Sequence, residues 1–267
     1  MQRDSIKAAW IALLGEVRKG LLVGWTYRIN WLTGLLTLGF IFAAIVFFLG
    51  GGKLDPQQVA SALLGYLTWM YAALAISDLS FGLRGEMNAG TLEQMCMSPA
   101  PVGLILLGRV LANLLVTTVQ ALLMGIVMSL FLDIHIPARW EGVPVLILTL
   151  FGILGFGFVI AGAVLVFKQV ESFANLIQNG LAFLNGSFLP VEAMPGWMAG
   201  FSRALPSTQG IIVLRRVILN GQSLASVWQD GSLVWLIVHS AIWFAVGWLV
   251  FRACERVAKE QGSLGQY

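Results

Sequence analysis

Residues 29–52, INWLTGLLTLGFIFAAIVFFLGGG, run for 24 positions without one aspartate, glutamate, lysine or arginine. About 20 apolar residues wound as an α-helix cross a hydrocarbon layer of about 30 Å, so a stretch of this length reads as a membrane span. Five further uncharged runs lie at 56–77, 110–132, 142–167, 172–191 and 231–251. Composition agrees: 58% of the 267 residues are hydrophobic and 11% are charged, whereas soluble domains carry about 25% charged residues. The chain is expected to be an all-α polytopic membrane protein with six transmembrane helices. Six spans leave no length for a soluble catalytic domain.

Residues 1–28 predict an amphipathic helix lying at the interface. Ile6, Trp10, Leu13, Leu14, Val17, Leu21 and Leu22 recur at helical spacing, while Arg3, Lys7, Arg18 and Lys19 fall largely elsewhere. Trp25, Tyr27 and Trp31 stand where an aromatic belt would meet the first span. No short apolar region ahead of a small-residue cleavage pattern marks a removable signal peptide. The chain thus divides into an interfacial helix at 1–28 and a membrane domain at 29–267. The spans are expected at about 29–50, 58–79, 102–131, 143–167, 172–190 and 231–251, and Gly157 and Ala161 in the fourth form a small-residue pair suited to close helix approach. After the fifth run, prolines at 190, 195 and 206 and glycines at 196 and 200 preclude one continuous helix. Short broken, re-entrant-like helices are expected there, at about 190–222, on the far face, where irregular backbone survives only under protein cover or beside a polar cavity.

Orientation rests on the positive residues. With the amino end inside, the cytoplasmic side receives Arg3, Lys7, Arg18, Lys19, Arg28, Arg84, Arg109, Lys168, Arg252, Arg256 and Lys259. The opposite side receives Lys53, Arg139, Arg203, Arg215 and Arg216. Eleven against five puts both termini in the cytoplasm.

Several chemistries have no residues to carry them. No G-x-x-x-x-G-K-[ST] is present to cradle nucleotide phosphates. His135 and His239 stand apart from any ligand spacing and read as interfacial or packing residues, and Cys96 and Cys254 read as ordinary thiols. The 16 lysines and arginines form no single stripe for nucleic acid. The centres of the runs hold no ionisable group, with Asp78 at the inner end of the second and Asp230 at the outer end of the sixth, so an ion gradient has little to act on. The chain is expected to be non-enzymatic, to bind no cofactor or metal, and to draw any energy from a partner.

One stretch interrupts this pattern. GEMNAGTLEQMCMSP at 85–99 puts two glutamates and a helix-like apolar spacing between two spans and stops at a proline, which restricts its predecessor and cannot donate the next helical bond. It lies on the cytoplasmic side by the charge count. The longer segment RGEMNAGTLEQMCMSPAPVGLILLGRVLANLL at 84–115 resembles the cytoplasmic turn and third span of the membrane subunit of ABC-2 type, or type V, ABC exporters. Glu86, Gly90, Thr91, Leu92, Glu93, Ser98 and Pro99 match that family's coupling-helix pattern, with Cys96-Met97 where a leucine-rich pair is more usual. A second match lies in NGLAFLNGSFLPVEAMPGWMAGFSRALPSTQGIIVLR, where Phe188, Pro190, Pro195, Trp197, Pro206 and Arg215 correspond to the family's extracellular broken-helix motif.

The resemblance implies a coupling helix at about 85–98, with Leu92, Met95 and Cys96 facing the membrane domain and Glu86, Glu93 and Gln94 offering polar contacts to an ATPase cleft. It implies two permeases and two cytoplasmic ABC ATPases per complex, with ATP and Mg on the ATPase and none on this chain. It further implies a multi-pass protein of the bacterial inner membrane that exports a hydrophobic, amphipathic or lipid-linked substrate, with spans one and five at the seam between permeases. An ion-coupled secondary transporter and a non-transporting membrane assembly factor are the alternative readings.

Overall fold

A computed structural model describes residues 14–15, 17–52, 55–97, 101–167 and 171–260, with the side chains of all but Glu93, Cys96 and Glu171. Among the described residues the regular structure is helical throughout. The elements are α1 (Arg28–Leu49), α2 (Pro56–Asn88), α3 (Leu92–Cys96), α4 (Val102–Phe131), α5 (Gly142–Val166), α6 (Glu171–Leu184), α7 (Gly196–Ala204), α8 (Thr208–Ile218), α9 (Leu224–Gln229) and α10 (Ser232–Glu260).

Five of these helices, α1, α2, α4, α5 and α10, are long and apolar enough to cross a membrane. The remaining apolar run, the fifth in the chain, yields a shorter helix than the sequence suggests. Its helix, α6, has 14 residues, about 21 Å at 1.5 Å per residue, less than the hydrocarbon thickness. The run is expected to continue to 190, but the chain turns at Asn185-Gly186-Ser187. Gly186 takes a positive φ of 82°, and the Asn185 side-chain oxygen accepts hydrogen bonds from the Ser187 amide at 3.0 Å and the Ser187 hydroxyl at 2.6 Å. This local side-chain bonding gives the backbone an alternative to continuing the helix.

The enclosed centre of the bundle is α2, against which α4, α5, α6 and α8 pack. Asp55 caps it, accepting from the Gln57 amide, and Pro56 occupies its first position, where a missing N–H costs nothing. Tyr71, Leu79, Leu83 and Met87 of α2 join Leu106 and Val110 of α4 and Phe158 of α5 in the main apolar cluster. In contrast α1 leaves most of its surface uncovered, including Ile29, Leu36, Phe40 and Phe48.

Glycine decides the tightest contact, between α5 and α10. A Cβ on Gly247 would fall 1.8 Å from the Gly155 carbonyl oxygen, and one on Gly155 would fall 2.3 Å from that of Trp243. Gly152 and Gly162 continue this row against Ser240 and Phe251. With no solvent-driven force between helices inside a bilayer, such close backbone approach supplies the packing that holds them. The Gly157–Ala161 pair marks the opposite face of α5, where a Cβ on Gly157 would meet Leu79 of α2 at 2.6 Å.

The amino-terminal interfacial helix falls partly outside the described residues. Those at 17–26 are helical and continue through one turn residue, Tyr27, into α1. Gly20 lies against Ala112, and Gly24, one turn on, against Val116, one turn on in α4. This stretch therefore runs alongside α4.

Between α6 and α10 the prolines punctuate as expected. Pro190 precedes a 3-10 turn at Val191–Ala193, Pro195 precedes α7, and extended Leu205 before Pro206 separates α7 from α8.

Candidate functional site

The stretch expected as one coupling helix at about 85–98 is divided. Residues 85–88 complete the last turn of α2, Gly90 turns the chain with a φ of 69°, and the five residues of α3 come next. Glycine is suited to that turn because other residues rarely adopt the left-handed region. Thr91 secures it: its amide donates to the Glu86 carbonyl at 3.0 Å and its hydroxyl to the Glu86 carboxylate.

Glu86 faces inward. Arg109 of α4 donates to its other carboxylate oxygen at 2.6 Å, with both side chains largely covered. The carboxylate thus ties α2, the turn and α4 together, so its side chain is engaged within the subunit instead of presented outward to an ATPase. The Arg109 charge, which the charge count assigns to the cytoplasmic side, is neutralised by Glu86. Leu92 is 1% exposed and packs in the main apolar cluster, with Met95 half-buried beside it. Gln94 is exposed and Met97 is 78% exposed. Glu93 belongs to α3 by its backbone, and Ser98 and Pro99 lie outside the described residues. The turn is therefore a short helix anchored by Leu92 on one side and open at Gln94 on the other.

Above it, Asp78 is not at the end of its helix as expected, because α2 continues ten residues further to Asn88. Its carboxylate accepts from the Asn113 amide of α4. Arg109 and Asn113 lie four apart in sequence and so share one face of α4, and both bond acidic residues of α2. The sequence holds only two separations, 78 to 86 and 109 to 113, and no local pattern pairs them.

The second motif comes together around Arg215 of α8. The guanidinium donates through Nε and Nη2 to the Ser61 carbonyl of α2 at 3.1 and 2.9 Å, and through Nη2 to the Ser187 carbonyl at 2.8 Å. Burial pulls its pKa below the ordinary arginine value, down to about 10, so it stays charged at neutral pH. The Ser187 hydroxyl oxygen, whose proton the closer Asn185 oxygen takes, lies 3.0 Å from the Gly65 carbonyl, and a Cβ on Gly65 would strike the Ser187 backbone at 2.6 Å. Phe188 stacks among Phe42, Tyr66 and Phe183. Pro206 is buried, whereas Pro190, Pro195 and Trp197 are exposed. The motif thus locks the segment after α6 onto α2, and a cleft of about 760 Å³ opens beside it, lined by Asp55, Ser61, Phe188, Glu192, Arg215 and Arg216 among others. Ser187 and Asn185, which complete this lock, carry no distinctive sequence signal because serine and asparagine mark turns too generally.

Further along, Arg216 pairs with Asp230. The Ser232 amide and hydroxyl and the Arg216 charge hold this exposed carboxyl below the usual carboxylate range. His239 packs between Trp235 and Trp243, with its ring near the Ala204 carbonyl. Among the described residues no group of three histidine, cysteine or acidic side chains is placed to hold a metal.

The described chain thus presents five helices long and apolar enough to cross a membrane, with a short anchored helix in the turn between the second and third of them. The family model for the ABC-2 type transporter matches residues 23–219, most of the chain, and the chain belongs to this family. It is 25% identical over 249 residues to the probable doxorubicin resistance ABC transporter permease protein DrrC of Mycobacterium tuberculosis, covering 85% of each chain. It is 36% identical over 112 residues to heme exporter protein B of Pseudomonas aeruginosa, 41% of this chain and 48% of that one. To the probable multidrug ABC transporter permease YbhR of Escherichia coli it is 27% identical over 198 residues, 73% of this chain and 52% of that one. The match thus spans about half the length of the latter two relatives. Membership of the family relates the chain to the membrane subunits of ABC transporters.

Proposed function

We propose that the protein is the permease of an ABC exporter, working as two permeases with two cytoplasmic ATPases and moving a hydrophobic, amphipathic or lipid-linked compound outward. The observation that carries this reading is the seat of α3. Its base is fixed by buried Leu92 and by Glu86, which joins the turn to Arg109 of α4, while Gln94 stays open. A push on α3 from the cytoplasm would pass to α2 and α4 together, the bistable packing change that such transitions use. The functions for which the relatives are named, doxorubicin resistance, multidrug transport and heme export, support an apolar or amphipathic cargo. Both termini face the cytoplasm of a bacterial inner membrane in this reading.

The seam between permeases falls on exposed faces of α1 and α6. Leu36, Phe173 and Leu176 are uncovered there, whereas Leu181 is buried inside the subunit against Ile76 and Ile160 and is not open to a second copy. The test is reconstitution with the co-expressed ABC ATPase in vesicles loaded with a lipophilic fluorescent cation. ATP-dependent movement of the dye, lost when Glu93 or Gln94 is changed to lysine with complex assembly impaired, is the expected result. Dye movement driven by a proton or sodium gradient without the ATPase would overturn the reading.

A further inference from the structure

A second cavity, about 460 Å³, lies between α1 and α4, with Leu74 of α2 among its lining residues. It exists because two close approaches bracket a gap. Below it Gly20 and Gly24 sit against Ala112 and Val116, above it Gly39 sits against Met124 and Met128, and between them a Cβ added to Gly34 would meet nothing within 4 Å. Its wall is uncharged: Tyr27, Asn30, Trp31, Asn113, Thr117 and Gln120 supply the polar groups, and the rest is glycine and aliphatic side chain. Among the described residues the Trp31 indole N–H is enclosed without an acceptor. The side-chain amides of Asn30 and Gln120 also have no partner there, whereas Asn113 spends its N–H on Asp78.

The Trp31 N–H, enclosed between two apolar helices, is costly unless something bonds it, and the more open amides of Asn30 and Gln120 line the same cavity. The occupant must offer hydrogen-bonding groups, because the wall holds free amides and an indole N–H. It must be uncharged, because among the described residues no ionised side chain lines the cavity to balance a charge. It must carry hydrocarbon, because the surrounding faces of α1 and α4, with Ile29, Leu32, Leu115 and Val119 exposed, look outward as apolar surface.

We propose that this cavity is a lateral binding site for a neutral acylglycerol-type lipid drawn from the bilayer, its ester and hydroxyl groups bonded by Trp31, Asn30 and Gln120 and its acyl chain lying between α1 and α4. The site belongs to one subunit and needs neither ATP nor the ATPase, so it stands or falls separately from the export reading.

The test uses the full-length permease reconstituted in phosphatidylcholine vesicles and three photoactivatable diazirine probes of equal chain length: a monoacylglycerol, a fatty acid and an alkane. Labelled peptides are mapped by mass spectrometry. The monoacylglycerol is expected to label the segments 27–38 and 113–120 at least fivefold more than the other two probes. Gly34→Leu, whose Cβ would meet nothing within 4 Å and whose side chain would occupy the gap, should reduce this labelling at least fivefold, and Gln120→Leu about threefold, with labelling of the α10 surface unchanged in both. Equal labelling by all three probes, no labelling of these segments, or labelling indifferent to Gln120→Leu in a normally folded variant would each overturn the proposal. If Gly34→Leu does not fold, Gln120→Leu and Trp31→Phe carry the same test.

Discussion

Replacing Arg215 with methionine removes the lock between α8, α2 and the Ser187 turn while keeping a similar length of side chain. Three hydrogen bonds disappear, two to the Ser61 carbonyl and one to the Ser187 carbonyl. The two acceptors do not suffer equally. Ser61 lies inside α2 and keeps its helical bond, whereas Ser187 lies in the turn, fully buried, and its oxygen has no other partner among the described residues. Stripping a buried acceptor costs about 1–3 kcal/mol, and each charge-assisted bond lost is worth about 1.5–3 kcal/mol at most. Relief of the buried guanidinium, whose desolvation is visible in its lowered pKa, offsets part of this. The net loss is roughly 2–4 kcal/mol, and at about 2–4 °C per kcal/mol for a chain of this size the melting midpoint should fall by roughly 5–15 °C. Arg215→Lys keeps the charge but cannot fork between two carbonyls, so it should fall between the wild type and methionine. Gly65→Ala, which drives a methyl into the Ser187 backbone, should resemble Arg215→Met. The assay is intrinsic tryptophan fluorescence during a thermal ramp in detergent. A methionine variant melting within about 2 °C of the wild type, the effect of less than about 1 kcal/mol, would refute the reasoning.

Other consequences can be checked together. Gly247→Leu must push α10 off α5 and should abolish accumulation of the folded protein on size-exclusion chromatography, whereas Gly34→Leu should leave the elution profile unchanged. Glu86→Gln should weaken the turn by about 1–2 kcal/mol and raise proteolysis at 88–97, and Arg109→Met should do so to a similar degree, with the double change less than additive. The Asp230 carboxyl sits below its ordinary value in the folded protein, so its contribution is present above the usual carboxylate pKa and is lost as pH falls through the folded one. Amide exchange over 219–232 should therefore rise selectively below about pH 4, and Asp230→Asn should show the fast exchange already at neutral pH.

Run length and proline placement make the bundle legible in the sequence, because a bilayer demands helices of fixed length and prolines end them locally. The expected first, third and fourth spans coincide closely with α1, α4 and α5, whereas α10 carries its helix past the expected end of the sixth at 251 to Glu260. Boundaries set by side-chain turns are not legible. Nothing in FLNGSF distinguishes a continuing span from the Asn185–Ser187 turn that ends α6, and nothing in SDLSFGLRGEMN shows that α2 carries its helix through nine more residues after 79 to Asn88. The same limit applies to the coupling turn. Its chemistry, glutamate, glycine, threonine and leucine, can be read, but the direction in which Glu86 points depends on Arg109, 23 residues away. Arg215 stands out by the family resemblance alone, whereas its partners are backbone carbonyls that carry no sequence signal.

In the proposed complex α3 receives an ABC ATPase from the cytoplasmic side. In a background with Cys96 and Cys254 changed to serine, Gln94→Cys should crosslink to the co-expressed ATPase in intact membranes with a short bifunctional thiol–amine reagent. Trp197→Cys, also exposed but assigned to the far face by the charge count, should not. Absence of the Gln94 adduct from an assembled complex, or an equal adduct from residue 197, would contradict the account.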